Sequence, residues 1–318
     1  MMGAETFAFV TNPKSHRVAR HGSWLAMNDT IESLEFTGDD ALKAALAARA
    51  RNGLSKIFVE GGDGTVLAVL SACHAIAETF SNTPQIAILP GGSTNLAYKA
   101  VGFRARNAKA FQKRLAELRA GAGAATVTQR TLLVENPAFA DPKLGFVLST
   151  GTLARAMHHV QTEFHGPGHR GSLAVASAIL RFLTRPHSYL DADGHPVVRG
   201  SPLTITGKGI SHTGDHCLSL MTSLPRLSLG LNPFWGKGAG GIALTHADWP
   251  MAHFRRGLVQ ALAWKNAESL NKIGFVSHKT DMIEFSPQDP FMLDGESFTA
   301  NTDAPLRVTL SQPIRFLR

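Results

Sequence analysis

The sequence predicts a chain in two parts: an N-terminal α/β domain with a parallel sheet, then a C-terminal antiparallel β-sandwich. Three observations predict it. Up to about residue 120, strand-like apolar runs alternate with helical patterns, the arrangement of βαβ units. Glycine-rich turns close two of those runs, at Gly61-Gly62-Asp63-Gly64-Thr65 and at Gly91-Gly92-Ser93-Thr94-Asn95. Beyond the small-residue linker Gly121 to Ala125, short apolar segments alternate with Gly, Pro and Asn turns, as stacked antiparallel sheets require.

Each element follows from local chemistry. Thr6 to Thr11 (TFAFVT) reads as a first strand, ended by the turn Asn12-Pro13-Lys14-Ser15. Asp39 and Asp40 suit a helix start before ALKAALAARAR, and Gly53 its stop. Lys56 to Val59 is an apolar strand, followed by the first glycine turn and a helical pattern from Val66 to Thr79. Gln85 to Leu89 is another buried strand, leading through Pro90 into the second glycine turn and the short helical LAYKAVG. Asn107 to Ala120 is amphipathic. In the second part, helical stretches at Leu173 to Leu183 and Met251 to Lys265 interrupt the strands, and RVTLSQPIRFL offers one or two more at the end. The expected boundaries are 1–125, 126–285, and a C-terminal segment 286–318 carrying Leu293-Asp294-Gly295-Glu296.

Composition narrows the function. Apolar residues make up 44% of 318, mean hydropathy is −0.02, and no run nears the roughly 18 apolar residues of a membrane span. The start, MMGAETFAFVTNPKS, lacks the basic and apolar regions of a signal peptide. Cys73 and Cys217 stand alone, which fits small buried residues in a reducing compartment. The net charge of +8 favours an anionic partner. The basic residues are dispersed without interleaved aromatics, which speaks against nucleic acid and leaves a nucleotide or an acidic membrane surface.

A glycine turn between strand and helix offers bare amides and the positive end of a helix dipole, which suits phosphate. GGDGT is neither GxxxxGK[ST] nor GxGxxG. An acid there would repel a polyphosphate. Asp63 therefore makes sense as a ligand to a bridging Mg²⁺ or as acceptor of a hydroxyl proton, both of which belong to phosphoryl transfer. A second such turn after its own strand would clasp the same phosphates from another side.

GGDGT followed by PGGSTN, preceded by NPKS and closed by LDGE, resembles the diacylglycerol kinase catalytic-domain superfamily, which includes bacterial lipid kinases, sphingosine kinases and ceramide kinases. The motifs stand in family order from Asn12 to Glu296. The resemblance implies an ATP-binding α/β domain, a lipid-binding β-sandwich, and a C-terminal segment returning LDGE to the cleft between them. It implies that Gly61, Gly62, Gly64 and Thr65 hold ATP phosphates with Gly92, Ser93, Thr94 and Asn95. Asn12, Lys14, Ser15 and Glu296 would lie near the nucleotide. Asp63 and Asp294 would be the catalytic acids, Asp63 sharing Mg²⁺ with the phosphates; which of the two takes the proton stays open.

The departures are informative. The Asn-Glu pair that usually follows GGDGT is replaced by Val66-Leu67-Ala68. The second loop, with Tyr98, Val101 and Gly102 behind it, is similar to the ceramide kinase branch, though Tyr98 fits packing equally well. GTLARAMHHV resembles a family segment whose acid is here Arg155, which would repel the amine of free sphingosine. Arg170, before a glycine and a helical run, is a further substrate-side candidate beside Tyr98 and Arg155. His158, His159, His165 and His169 match no zinc spacing. The loop Leu231 to Gly238 (LNPFWGKG) suits either a bilayer surface or packing.

The resemblance thus implies an ATP- and Mg²⁺-dependent lipid kinase, peripheral on the cytosolic face of a membrane. It would phosphorylate the primary hydroxyl of a neutral lipid, ceramide first and diacylglycerol second. The rival readings are an NAD kinase-type enzyme, which shares GGDG, and a nucleotide-binding lipid sensor without catalysis.

Overall fold

The computed structural model describes residues 6–26, 33–163, 189–191, 194–227, 232–251, 257, 260, 270–301 and 303–318. The expected helix at Leu173 to Leu183 and most of that at Met251 to Lys265 lie outside them, as do Arg170, His165 and His169. The chain divides into two compact units, one of residues 1–130, 141–144 and 311–318, the other of 131–140 and 145–310.

In the first unit the apolar runs become strands β1 (Thr6–Thr11), β2 (Ser33–Glu35), β3 (Leu54–Gly61) and β4 (Gln85–Pro90). Between and after them come helices α1 (His16–His21), α2 (Asp39–Ala50), α3 (Asp63–Ala75), α4 (Leu96–Val101) and α5 (Ala108–Arg119). The strands pair in parallel in the order β2-β1-β3-β4. β3 is central and almost wholly buried, because helices must cover both faces of a parallel sheet. Phe58 anchors one face, its ring 5.2 Å from Phe9, 6.0 Å from Phe103 and 5.9 Å from Phe111. Asp39 and Asp40 occupy the first turn of α2, as the helix dipole favours.

Beyond β4 the sheet continues with strands distant in sequence. The final strand pairs in parallel with β4 through Phe316–Ile86 and antiparallel with β5 (Thr126–Gln129). The first unit therefore recruits the chain's last residues, Ser311 to Arg318.

The second unit contains β6 (Leu132–Glu135), then β7 (Lys143–Gly145) where the chain passes between units, and β8 (Val147–Gly151) running into α6 (Thr152–Glu163). There follow β9 (Ser201–Gly207), β10 (Ile210–Thr222), β11 (Ile242–Asp248), β12 (Phe275–Thr280) and β13 (Ile283–Pro287). Strands β14 (Phe291–Leu293), β15 (Glu296–Phe298) and β16 (Leu306–Leu310) complete it, and the terminal strand of the first unit is β17 (Ile314–Leu317). The order runs β15-β14-β8-β10-β9-β13-β16-β6, with β11 and β12 added from β10, and the pairings are antiparallel.

The long strand β10 pairs with different neighbours along its two halves. Ile210–His216 pair with β9, Leu218–Thr222 with β8 and β11, and the register shifts between His216 and Leu218. A bulge of that kind turns a strand from one layer into the next. The α/β class with a C-terminal β-sandwich is thus as expected.

At this corner His216 is 1% exposed. Its Nδ1 lies 2.7 Å from the Ser201 carbonyl, which can only accept, so Nδ1 carries the proton. Nε2, 2.8 Å from Thr150 Oγ1, then accepts from that hydroxyl. Burial pushes the His216 pKa down to about 4; the Ser201 bond and Asp289 oppose the shift, while Arg155 and His212 add to it. A histidine depressed in the folded state favours folding above its ordinary pKa of about 6.5 and loses that stability as pH falls towards 4. We expect a loss on the order of 3 kcal/mol across that window. Urea unfolding of wild type and His216→Gln at pH 7 and 4.5 checks it: equal pH dependence in both would contradict this origin.

The loop expected at Leu231 to Gly238 packs inward over its described part. Phe234 is buried, Trp235 packs with Leu270 and Phe275, and Gly236 lies so close to His278 that a Cβ would meet its backbone nitrogen at 2.4 Å. Its aromatics belong to the core of the unit, so the packing alternative holds there. Among the described residues no helix is long and apolar enough to cross a membrane.

Candidate active site

The loops NPKS, GGDGT and PGGSTN follow β1, β3 and β4, three adjacent parallel strands, and so emerge at the same carboxyl edge of the sheet. This is where open α/β sheets bind ligands. The two glycine turns touch backbone to backbone. A Cβ on Gly91 would meet the backbone N, O and C of Gly61 at 2.5 to 2.6 Å, and one on Gly92 the Cα of Gly62 at 2.8 Å. Glycine is required here by close approach. We expect Gly91→Ala to cost about 1–3 kcal/mol by overpacking and to weaken ATP binding. Gly123→Ala, with nothing within 4 Å of its Cβ, is the control. Thermal unfolding and nucleotide titration compare them; equal behaviour would refute the contact.

The NPKS turn is tied to the first glycine loop. Asn12 donates from Nδ2 to Thr65 Oγ1 at 2.9 Å, and its Oδ1 accepts from the Lys14 amide at 3.0 Å. Ser15 is buried and donates its hydroxyl to the Asn12 carbonyl at 2.7 Å; Lys14 is exposed. The structure thus brings Asn12, Ser15, Gly61, Gly62, Gly64, Thr65, Gly92 and Asn95 to one edge.

Their roles within that edge differ. Asn95 sits at φ 52° and its Oδ1 accepts from the amides of Gly91 (3.2 Å) and Gly92 (2.9 Å), while Nδ2 donates to the Gly92 carbonyl at 2.8 Å. The second loop is therefore closed on itself, and those two amides are engaged by Asn95. Ser93 is exposed and Thr94 half-buried. The N-terminus of α3 contrasts with this: Gly62 precedes it and no side chain caps its first turn. Its bare amides are the feature of this edge best suited to phosphate.

Asp63 opens α3, yet its Oδ1 accepts from the Ala97 amide at 3.0 Å, in the first turn of α4. One carboxylate thereby locks the first glycine loop to the helix that follows the second. Burial raises its pKa above the usual carboxylate range, against the lowering effect of the Ala97, Leu96 and Asn95 amides and of Lys99. Tyr98, on α4, packs on Gly102, whose Cβ would meet the ring at 2.3 Å.

A residue the sequence reading passed over organises this edge. Glu60, the last residue but one of β3, is fully buried and pairs with the Arg17 guanidinium and the Ser23 hydroxyl. It also accepts from the amides of Trp24 at 2.8 Å and Leu25 at 3.4 Å. Arg17 in turn reaches the Pro90 carbonyl, and its own amide donates to the Gly91 carbonyl at 2.8 Å. The visible signal was an acid closing a strand that is otherwise apolar and bound for the core.

In the second unit LDGE forms a hairpin between β14 and β15, with Asp294 at φ 50° and Gly295 at φ 91°. Such a two-residue Asp-Gly turn has a structural reason of its own. Asp294 is nearly buried and its carboxylate accepts from the amides of Phe146 (2.9 and 3.0 Å) and Val147 (2.8 Å). Glu296 is exposed at the start of β15. Arg155, on α6, pairs with Asp289 and donates to Val197 O (2.9 Å), Ser201 Oγ (2.6 Å) and Arg199 O (2.6 Å). Its charge is compensated inside the unit. The expected repulsion of a cationic amine therefore loses its physical footing.

Residues 7–124 match the model of the family described as diacylglycerol kinase catalytic domain. Three solved structures resemble the whole chain: two candidate diacylglycerol kinases and one diacylglycerol kinase, all from Bacillus anthracis str. Sterne. The candidates give TM-scores of 0.63 and 0.62 at 13% and 15% identity, and the third 0.59 at 13%. Each alignment covers 100% of this chain and 98% of the other. At that identity the likeness is one of fold. No protein of curated function matches the chain significantly. The resemblance to that superfamily expected from the motifs is thus borne out over residues 7–124.

Proposed function

We propose that this chain, whose residues 7–124 match the diacylglycerol kinase catalytic domain, transfers the γ-phosphate of ATP to the primary hydroxyl of a neutral membrane lipid. Ceramide is the first choice of substrate and diacylglycerol the second, and the enzyme works peripherally at the cytosolic face of a membrane. The observation that carries the reading is the contact of the two glycine loops beside the uncapped start of α3. That arrangement offers amides and a helix dipole to a phosphate chain.

The residues divide the work by their surroundings. Asp63 is fixed on the Ala97 amide through Oδ1 with the Leu96 and Asn95 amides beside it, and its raised pKa suits a carboxylate oxygen to accept a proton. The lipid hydroxyl gives its proton to that oxygen as its own oxygen attacks the γ-phosphorus, and ADP leaves. Asp294, whose carboxylate accepts from the Phe146 and Val147 amides, is the second acid proposed to support the reacting hydroxyl. Ser93, Thr94 and the α3 amides hold the phosphates, while Asn12, Asn95 and Glu60 hold the loops. The two glycine loops bring one carboxylate, that of Asp63, which fits a Mg²⁺ held mainly by phosphates and water. When bound, Mg²⁺ neutralises phosphate charge.

Radiolabelled phosphate transfer from ATP to vesicles carrying ceramide, diacylglycerol, sphingosine or monoacylglycerol, with NAD⁺ in a separate arm, tests the proposal. Labelled lipid in the ceramide arm is expected first. Labelled NAD⁺ with no labelled lipid would replace this reading by the NAD kinase one.

A further inference from the structure

The second unit holds a cluster that phosphate transfer does not use. His246 and Asp248 are two residues apart on β11, so both project from one face of the strand. His212, from β10, meets them there, its ring centroid 5.0 Å from that of His246. In a straight ladder His212 would lie about 13 Å along β10 from His216, the register partner of Asp248. The 5.0 Å ring distance shows that β10 departs from a straight course here, where Gly214 takes φ 151° and the register with β11 shifts after His216.

The donor atoms converge without bonding to one another. His212 Nδ1 lies 3.3 Å and His246 Nδ1 3.6 Å from Asp248 Oδ1, and one donor atom from each residue falls within 4.8 Å of the others. Nevertheless His246 Nδ1 and Asp248 Oδ1 are buried with no hydrogen-bond partner, as is His212 Nε2. His246 is 4% exposed. A buried imidazole nitrogen and a buried carboxylate oxygen left without hydrogen-bond partners cost free energy. A cation between them removes that cost.

We propose that His212, His246 and Asp248 form a binding site for a first-row divalent cation, zinc foremost. Two imidazole nitrogens and a carboxylate oxygen are a donor set of that class. With bonds of about 2.0–2.1 Å, a tetrahedral centre has ligand separations of about 3.4 Å. The two nitrogen-to-carboxylate distances bracket that value. The Asp248 side chain is 49% exposed while its Oδ1 is buried, so the site lies just beneath the surface. His278 stacks on His246 at 6.3 Å, at 11° between planes, as a neighbour of the site. The ion would cross-link β10 to β11 at the corner of the sandwich.

The test uses the full chain, stripped with chelator and titrated with Zn²⁺ against a chromophoric competitor, then with Co²⁺ for its visible spectrum. One ion per chain and an intense tetrahedral cobalt band are expected. His246→Ala and Asp248→Asn should each weaken zinc binding more than about 100-fold, the upper end of the loss when a mere supporting partner is removed. His278→Ala should retain it. Far-UV dichroism confirms that the variants are folded, and the conservative Asp248→Asn covers the case in which His246→Ala is not. Failure to bind stoichiometric zinc, or binding unchanged in His246→Ala and Asp248→Asn, overturns the site. Neither outcome bears on ATP turnover, which is measured separately.

Discussion

Asp63→Asn is expected to lower kcat for phosphate transfer about 10²–10⁴-fold, the range for loss of a general base, while the protein stays folded. Asparagine keeps an oxygen where Oδ1 accepts from Ala97, so the lock between α3 and α4 survives. The linkage sign supports the same outcome. A carboxyl whose folded pKa is raised stabilises the fold below its ordinary pKa, near 4, and loses that contribution as pH rises. At neutral pH the wild-type charge therefore works against folding, and the neutral amide should melt at or above wild type. Asp63→Ala, which also removes the acceptor, should lose about 0.5–2 kcal/mol besides activity. The acid limb of the wild-type pH–rate profile should lie above the ordinary aspartate range, since the base must be ionised to act. Excess Mg²⁺ should not restore Asp63→Asn. Restoration would make Asp63 a metal ligand instead, and more than a tenth of wild-type kcat would remove it from the chemistry.

Glu60→Ala should be the most damaging single change to stability, at about 3–5 kcal/mol, the cost of breaking a buried ion pair from one side. Glu60 is fully enclosed, while Arg17 is 18% exposed. Deleting the carboxylate strands a guanidinium, a hydroxyl and the Trp24 and Leu25 amides together. Arg17 also anchors the second glycine loop through the Pro90 and Gly91 carbonyls, so ATP binding should weaken with stability. Glu60→Gln, which keeps an acceptor, should fall between. Urea unfolding and nucleotide titration of the three proteins measure both effects. A loss under 1 kcal/mol in Glu60→Ala would mean that the loops are held by something else.

Much of this edge was legible in the residues. The apolar runs at β1, β3 and β4 and the helix patterns at α2, α3 and α5 are local features, and local periodicity determines them. So are the glycines: their spacing after a strand announces bare backbone before any coordinate is known. The three loops could be assigned to one edge because parallel strands joined by right-handed crossovers leave their carboxyl ends on the same side.

What side chains do inside those loops was not legible. Asn95 reads as a phosphate contact, and it binds the amides of its own loop. Asp63 reads as a free acid, and half of its carboxylate caps another helix. Arg155 reads as a charge facing substrate, and Asp289 neutralises it. In each case the partner lies on another element, and a linear pattern carries no record of it.

The sequence by itself determined the α/β and sandwich classes, the two glycine turns and the family resemblance, because these depend on period, backbone permissiveness and motif order. Only the tertiary structure decided that Ile314–Leu317 close the sheet of the first unit, that Glu60 holds the loops, and that His212 meets His246 and Asp248. Each joins residues 34 to more than 220 positions apart, or depends on a bend in a strand. Hydrophobic and hydrogen-bonding complementarity across such separations exists only once the chain has folded.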